Sequence, residues 1–279
     1  MSMNPSGDTR PKGVFLLPNM LTTGALFAGF FSIISGINGQ YLAAAVAIVV
    51  AAVLDGLDGR VARLTNTQSE FGFQYDSLSD MVSFGLAPAL LAFNWSLKSL
   101  GALGPLTGKL GWLATFVFMA CAALRLARFN AQAGQVDRTY FQGLASPAAA
   151  TTLALTVWFF VDNGISGPTV RSVIWMETVV LGVLMFSRVR YFSFKTFPRG
   201  EKVPLAWIFL LVLAIVLLTL DPPAVMMSLA VIYVLSGLVM TLLGRRSRML
   251  RRAQLKMRLA GRRQRAAPPR DESGPEGPG

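Results

Sequence analysis

Four aspartates, Asp55, Asp58, Asp76 and Asp80, fall within 26 positions of this chain. The first two are spaced i, i+3 and the last two i, i+4, so on helices each pair projects from one face. The eight residues Leu64 to Phe71 can reverse the chain, and Gly72 allows close approach. Two antiparallel helices would then bring all four carboxylates into one site. Such groups repel one another unless a hard divalent cation, or a pair of them, sits among them. The 279 residues contain no His and a single Cys, Cys121, which removes imidazole acid–base catalysis, His- or Cys-ligated zinc and an internal disulfide. All-oxygen ligation points to Mg2+, Mn2+ or Ca2+.

Two other readings of the aspartates stand beside this one: neutralisation by Arg60 and Arg63, and a cation pathway through a membrane transporter. A pathway spreads carboxylates through the membrane depth, whereas these four gather near one surface beside two arginines. Gly56 and Gly59 lie among the aspartates, where each costs about 1 kcal/mol against Ala in a helix. A small residue there lets a flat or phosphorylated ligand reach the backbone. Arg63, one turn beyond Gly59, is placed to contact anionic oxygen.

The elements that must position these groups are apolar. The chain is 53% hydrophobic and only 14% charged, with a net charge of +12, too apolar for a soluble protein. Stretches able to cross a bilayer, each near the ~20 residues required, fall at roughly 16–36, 41–64, 76–97, 110–129, 146–162, 171–188, 204–220 and 224–243. The expectation is an all-α, polytopic membrane protein with about eight transmembrane helices. Gly36-Ile37-Asn38-Gly39, the segment Gly101 to Gly108, Asn163 to Pro168 and Asp221-Pro222-Pro223 supply the breaks. Met1 to Gly13 lacks an apolar core, so no signal peptide is expected. With the N-terminus inside, 23 of the 26 Lys and Arg face one side, leaving Lys98, Lys109 and Arg171 outside. Both termini and the aspartates are then cytoplasmic. The Arg-rich tail reads as an anchor to anionic membrane lipid, with no nucleic-acid recognition motif. Trp95, Trp112, Trp158 and Trp175 read as interface belts.

Written out, the run is Asp55-x-x-Asp58-Gly59-x-x-Ala62-Arg63, eight residues, then Gly72-x-x-x-Asp76-x-x-x-Asp80. It resembles the signature of the CDP-alcohol phosphatidyltransferases at every fixed position. The resemblance implies an integral membrane enzyme that moves a phosphatidyl group from CDP-diacylglycerol to an alcohol and releases CMP. It implies Asp55, Asp58 and Asp76 as metal ligands, Asp80 as a ligand or the general base, and Gly59, Ala62 and Arg63 on the CDP-binding side. With no His available, Asp80 is the expected base.

Further blocks are Leu17-Pro18-Asn19-Met20-Leu21-Thr22, Ser79 to Pro88, Arg125 to Asn130, Phe141 to Pro147 and Arg190-Tyr191-x-Ser193-Phe194-Lys195. Together they resemble the membrane-bound phosphatidylserine synthases of this superfamily over about residues 14–200. That implies L-serine as acceptor, a bacterial cell (inner) membrane location and a homodimer; glycerol 3-phosphate and inositol phosphate are the alternatives. Serine is a zwitterion, so its pocket needs a cation for the carboxylate. Arg125 and Arg128, with Asn130 beyond them, suit either the serine carboxylate or the lipid phosphate, or serve only the positive-inside bias. Arg188, Arg190 and Lys195 form a second basic cluster suited to phosphate binding or to interface anchoring. Asn19 and Thr22 line the nucleotide pocket or bond between helices, and Ser83 faces the same site or bonds its own backbone. The expected organisation is an N-terminal segment 1–13, a six-helix catalytic membrane domain 14–200, two further helices within 201–243, and a basic tail 244–279.

Overall fold

The computed structural model describes residues 16–65, 69–131, 141–187, 189–191 and 205–241. Helices α1 (Leu16–Ile37) and α2 (Tyr41–Leu64) form an antiparallel hairpin closed at Gly39, whose φ of 78° suits a residue without Cβ. Helix α3 (Glu70–Asp80) opens at Ser69, whose Oγ accepts the Gly72 N–H at 3.0 Å. It widens into a π turn, Met81–Leu86, and resumes as α4 (Ala87–Trp95). Pro88 explains the widening. It has no N–H to offer the Phe84 carbonyl and its ring crowds that carbonyl, while the Ala87 N–H reaches back five residues to Val82.

A 3-10 turn, Leu97–Leu103, leads into α5 (Pro105–Ala131). Then follow β1 (Phe141–Gln142), α6 (Ser146–Asp162), α7 (Arg171–Phe186), β2 (Arg190–Tyr191), α8 (Leu205–Leu220) and α9 (Pro222–Thr241). The compact unit runs through Gly237; a second begins at Leu238, and of it only the last turn of α9 lies among the described residues.

Two of the expected spans need correction. The third begins at Glu70 rather than 76, because the polar stretch Glu70 to Tyr75 is helical without being membrane-apolar, and it is interrupted by the π turn. The fourth begins at Pro105 rather than 110. The antiparallel pairing of Phe141 with Tyr191 and of Gln142 with Arg190 was not expected. It joins two blocks that the sequence presents separately. The N-terminal segment 1–13 and the tail 244–279 lie outside the described residues.

Small residues bring the helices together. Ala44, Ala45, Ala51, Ala87, Ala92 and Ala150 are all fully buried, and Phe84, Phe118, Ile48, Leu91 and Leu153 fill the spaces between them. The outer surface is apolar: Phe27, Phe30, Phe31 and Ile34 of α1 and Val50, Val53 and Leu57 of α2 are exposed, as side chains facing lipid would be. Among the described residues, Pro18–Ile37, Tyr41–Leu64, Pro105–Ala131 and Pro222–Thr241 are long and apolar enough to cross a membrane. Helices α6, α7 and α8, with 17, 16 and 16 residues, are shorter. The chain is an all-α integral membrane protein. Trp95 departs from its expected place at the interface: it is 7% exposed and stacks on Phe160 with ring centroids 6.1 Å apart.

Candidate active site

The site forms where the last turns of α2 meet the first turns of α1 and the body of α3. Asp55, Asp76 and Asp80 each place a carboxylate oxygen within 4.8 Å of the others, and the Asp55 and Asp80 carboxyls are hydrogen-bonded to each other. Asp58 does not join this trio. Three residues on from Asp55, it points roughly 60° away around the helix, towards α1, where its Oδ2 accepts from Thr22 Oγ1. It is 6% exposed and still within electrostatic reach of Asp76. The sequence reading gathered four carboxylates in one site, with Asp58 among the expected metal ligands; the fold makes three that converge and one, Asp58, anchored beside them. Three converging oxygen donors without nitrogen or sulfur suit a hard divalent cation.

Helix α1 holds α3 through one backbone carbonyl and one side-chain hydroxyl. Ser79 Oγ donates to the Thr22 carbonyl at 3.2 Å, and Thr23 Oγ1 lies 2.9 Å from the Tyr75 hydroxyl. Ser83, expected to face the site, is fully buried and donates to the Ala25 carbonyl at 3.0 Å instead. There the π turn lies so close to α1 that a Cβ on Gly29 would stand 2.7 Å from the Ser83 Cα. Asn19 sits beside the start of α3, its Oδ1 3.5 Å from where a Gly72 Cβ would lie. On the other side the site is open: a Cβ at Gly56 or Gly59 meets nothing within 4 Å, and Arg63 is exposed, with Ala62 half-buried between them.

The cations expected to bind the acceptor separate into two kinds. Arg125 lies within electrostatic reach of Asp80 and Asp55; its Nη1 donates to Ser146 Oγ at 2.8 Å, and its buried Nε has no hydrogen-bond partner. Arg128 is turned to structure. It donates to the Phe186 carbonyl at 3.0 Å and to that of Met185 at 3.5 Å, and its guanidinium lies 5.4 Å from the centre of the Phe186 ring. This satisfies carbonyls that the end of α7 leaves open. Gly143, with a φ of 86°, passes directly beside it. Asn130 Nδ2 donates to Ser77 Oγ at 3.0 Å, tying α5 to α3 one residue from Asp76. Arg188, Lys195 and the side chain of Arg190 lie outside the described residues.

One contributor was not anticipated from sequence: Ser77, which meets Asn130 beside Asp76. The available signal was its place, one residue after Asp76 on the same helix.

The sequence was compared with known proteins. Residues 15–184 match the family model described as CDP-alcohol phosphatidyltransferase. A CDP-diacylglycerol–serine O-phosphatidyltransferase of Helicobacter pylori is 37% identical over 227 residues, covering 79% of this chain and 90% of that protein. One of the same name from Methanocaldococcus jannaschii is 32% identical over 213 residues, 76% of this chain and 91% of that protein. An archaetidylserine synthase of Methanothermobacter thermautotrophicus is 32% identical over 186 residues, 66% of this chain and 72% of that protein. The family match covers more than half of the sequence and takes in the carboxylate trio, the glycines beside it and Arg125, and so the chain belongs to the CDP-alcohol phosphatidyltransferase family.

Proposed function

We propose that this enzyme transfers the phosphatidyl group of CDP-diacylglycerol to the hydroxyl of L-serine, giving phosphatidylserine and CMP. The observation that carries the chemistry is the trio Asp55, Asp76 and Asp80, with open glycines on one side and Arg125 on the other. The relatives named for serine phosphatidyl transfer match most of the chain and support serine as the acceptor.

Asp55, Asp76 and Asp80 would hold the divalent metal, Mn2+ or Mg2+, with Asp58 adding charge from its place on Thr22. When bound, the metal neutralises the pyrophosphate oxygens and polarises the phosphorus. The nucleotide lies along α2, where Gly56 and Gly59 leave room and Arg63 meets phosphate, and Asn19 and Thr22 border it from α1. Arg125 takes the serine carboxylate, its Nε still lacking an acceptor. The serine oxygen attacks the phosphorus that bears diacylglycerol while the bond from that phosphorus to the CMP oxygen breaks. CMP leaves with the electron pair, and the hydroxyl proton passes to an Asp80 oxygen. The acyl chains stay in lipid and the nucleotide in water because the site lies at helix ends.

The carboxylates face the cytoplasm of a bacterial cell, at its inner membrane, with both termini on that side. Lys98, Lys109 and Arg171 support this: Lys109 and Arg171 lie at the starts of α5 and α7, away from the ends that carry Arg125 and meet Arg128, and Lys98 lies in the turn before α5. The working form is a homodimer, by analogy with the superfamily. The deciding experiment supplies purified protein with CDP-diacylglycerol, Mn2+ or Mg2+, and a panel of serine, glycerol 3-phosphate and inositol phosphate. CMP release with serine is expected; release only with a phosphorylated alcohol overturns the assignment.

A further inference from the structure

Ser146 opens α6 and is followed by Pro147, and a serine at such a place reads as a helix cap. In the fold it does not cap. Ala145 holds the capping position, no side chain bonds the free N–H groups there, and Ser146 is fully buried. Its hydroxyl turns instead to α5, where it accepts from Arg125 Nη1 at 2.8 Å. Among the described residues this is the one hydrogen bond that Arg125 makes.

Two contacts of α5 fix where Arg125 stands. A Cβ on Gly85 would lie 3.5 Å from the Ala122 side chain, and Asn130 Nδ2 donates to Ser77 Oγ at 3.0 Å. Between these points α5 runs antiparallel to the segment from Ser77 to Gly85, and both Arg125 and Asp80 fall within that stretch. With Ser146 bonded to it, the Arg125 guanidinium joins the start of α6 to the side of α3 that carries the carboxylates. The N-terminus of a helix is partially positive and disfavours a guanidinium, so the hydroxyl oxygen and not the helix end is what holds Arg125 there. A guanidinium presents its five donors in a fixed planar fork, so a bond at Nη1 restricts where the others point. Nε is buried without a partner, a donor that an incoming anion satisfies.

We propose that Ser146 is a positioning residue for the acceptor, holding the Arg125 guanidinium so that its free donors meet the acceptor carboxylate, which makes the start of α6 part of the active site. The identity of the acceptor rests on the serine reading above; the hold of Ser146 on Arg125 does not. The protein in detergent–lipid micelles is assayed for CMP release at saturating CDP-diacylglycerol while serine is varied. Ser146→Ala is expected to raise the apparent KM for serine about fivefold, with kcat within about twofold of wild type and the KM for CDP-diacylglycerol unchanged. Thr152→Ala removes another buried hydroxyl of α6, one that bonds the Ala148 carbonyl of its own helix, and is expected to keep the wild-type KM for serine. In an Arg125→Lys background, Ser146→Ala is expected to add less than about twofold, because no fork remains to be held. An unchanged KM for serine, a fall in kcat alone, a rise in the KM for CDP-diacylglycerol instead, an equal rise in Thr152→Ala, or losses that multiply in the double variant would each overturn the proposal. Ser146→Cys, close in size but a weak acceptor, carries the same expectations should the Ala variant not purify as wild type does. If wild type releases CMP only with another alcohol, the serine reading fails, and the same cycle with that alcohol still decides the role of Ser146.

Discussion

Consider the free protein stripped of divalent metal. Asp55, Asp76 and Asp80 have oxygens no more than 4.8 Å apart, so each ionised pair repels by at least about 3.5 kcal/mol at an effective dielectric constant of ~20. Three pairs amount to roughly 10 kcal/mol, comparable to the whole net stability of a typical domain. In the metal-free site a proton shared between the Asp55 and Asp80 carboxyls relieves part of this, and a divalent cation that takes its place at about 100 times its Kd contributes about 2.7 kcal/mol by mass action. At roughly 2–4 °C per kcal/mol for a chain of this size, Mg2+ or Mn2+ should raise the melting temperature of chelator-treated protein by about 5–10 °C. Tryptophan fluorescence during a thermal ramp reads this directly. Asp55→Asn, Asp76→Asn and Asp80→Asn should each lose the metal-induced rise while melting no lower than chelated wild type, since one amide removes two of the three repelling pairs. Asp58→Asn, whose carboxylate faces Thr22, should keep part of the rise. CMP release should stop with chelator and return with either ion. An undiminished rise in Asp80→Asn, or activity that ignores chelation, would refute the assignment of these three carboxylates to a metal.

Other substitutions separate binding from packing. Gly59→Ala should stabilise the free protein by up to about 1 kcal/mol, since its Cβ meets nothing, yet raise the KM for CDP-diacylglycerol; melting and CMP-release measurements check the two signs. Arg128→Gln should cost about 1–3 kcal/mol through the lost contacts to Met185 and Phe186. It should also speed hydrogen exchange at Gly143 and Leu144 and leave the KM for serine unchanged. Gly29→Ala should cost about 1–3 kcal/mol because its Cβ would press on Ser83, and should lower kcat by shifting the turn that follows Asp80.

The elements were most legible where a chain-breaking residue coincides with an apolar edge. Helices α2 and α6 run over the expected 41–64 and 146–162. The start of α3 was hidden because Glu70 to Tyr75 is polar enough to escape any search for bilayer-length apolar runs. The capping serine before it was the readable signal. Helix spacing made it readable that the aspartates gather at one end of two helices, though not that Asp58 turns to Thr22 while the other three converge. What each polar group finally touches was not, since partners come from elsewhere in the chain. Thr22 lies 36 residues from Asp58, Ala25 58 from Ser83, and Phe186 58 from Arg128. Similar residue types at a helix end, Arg125 and Arg128, thus received different duties from the segments folded against them.

The π turn between Asp80 and Pro88 sets the phase of everything after it. An α-helix advances about 100° per residue, so a widened turn that absorbs one extra residue rotates α4 by about that angle relative to an unbroken continuation of α3. The angular setting of Asp76 and Asp80 is thereby decoupled from that of Ala87, Leu91 and Trp95, which are buried in the bundle. A single-residue deletion within 81–86 would lengthen the regular helix and yet aim either the acids or the buried face the wrong way. Local regularity and a working enzyme are incompatible at that point in the chain.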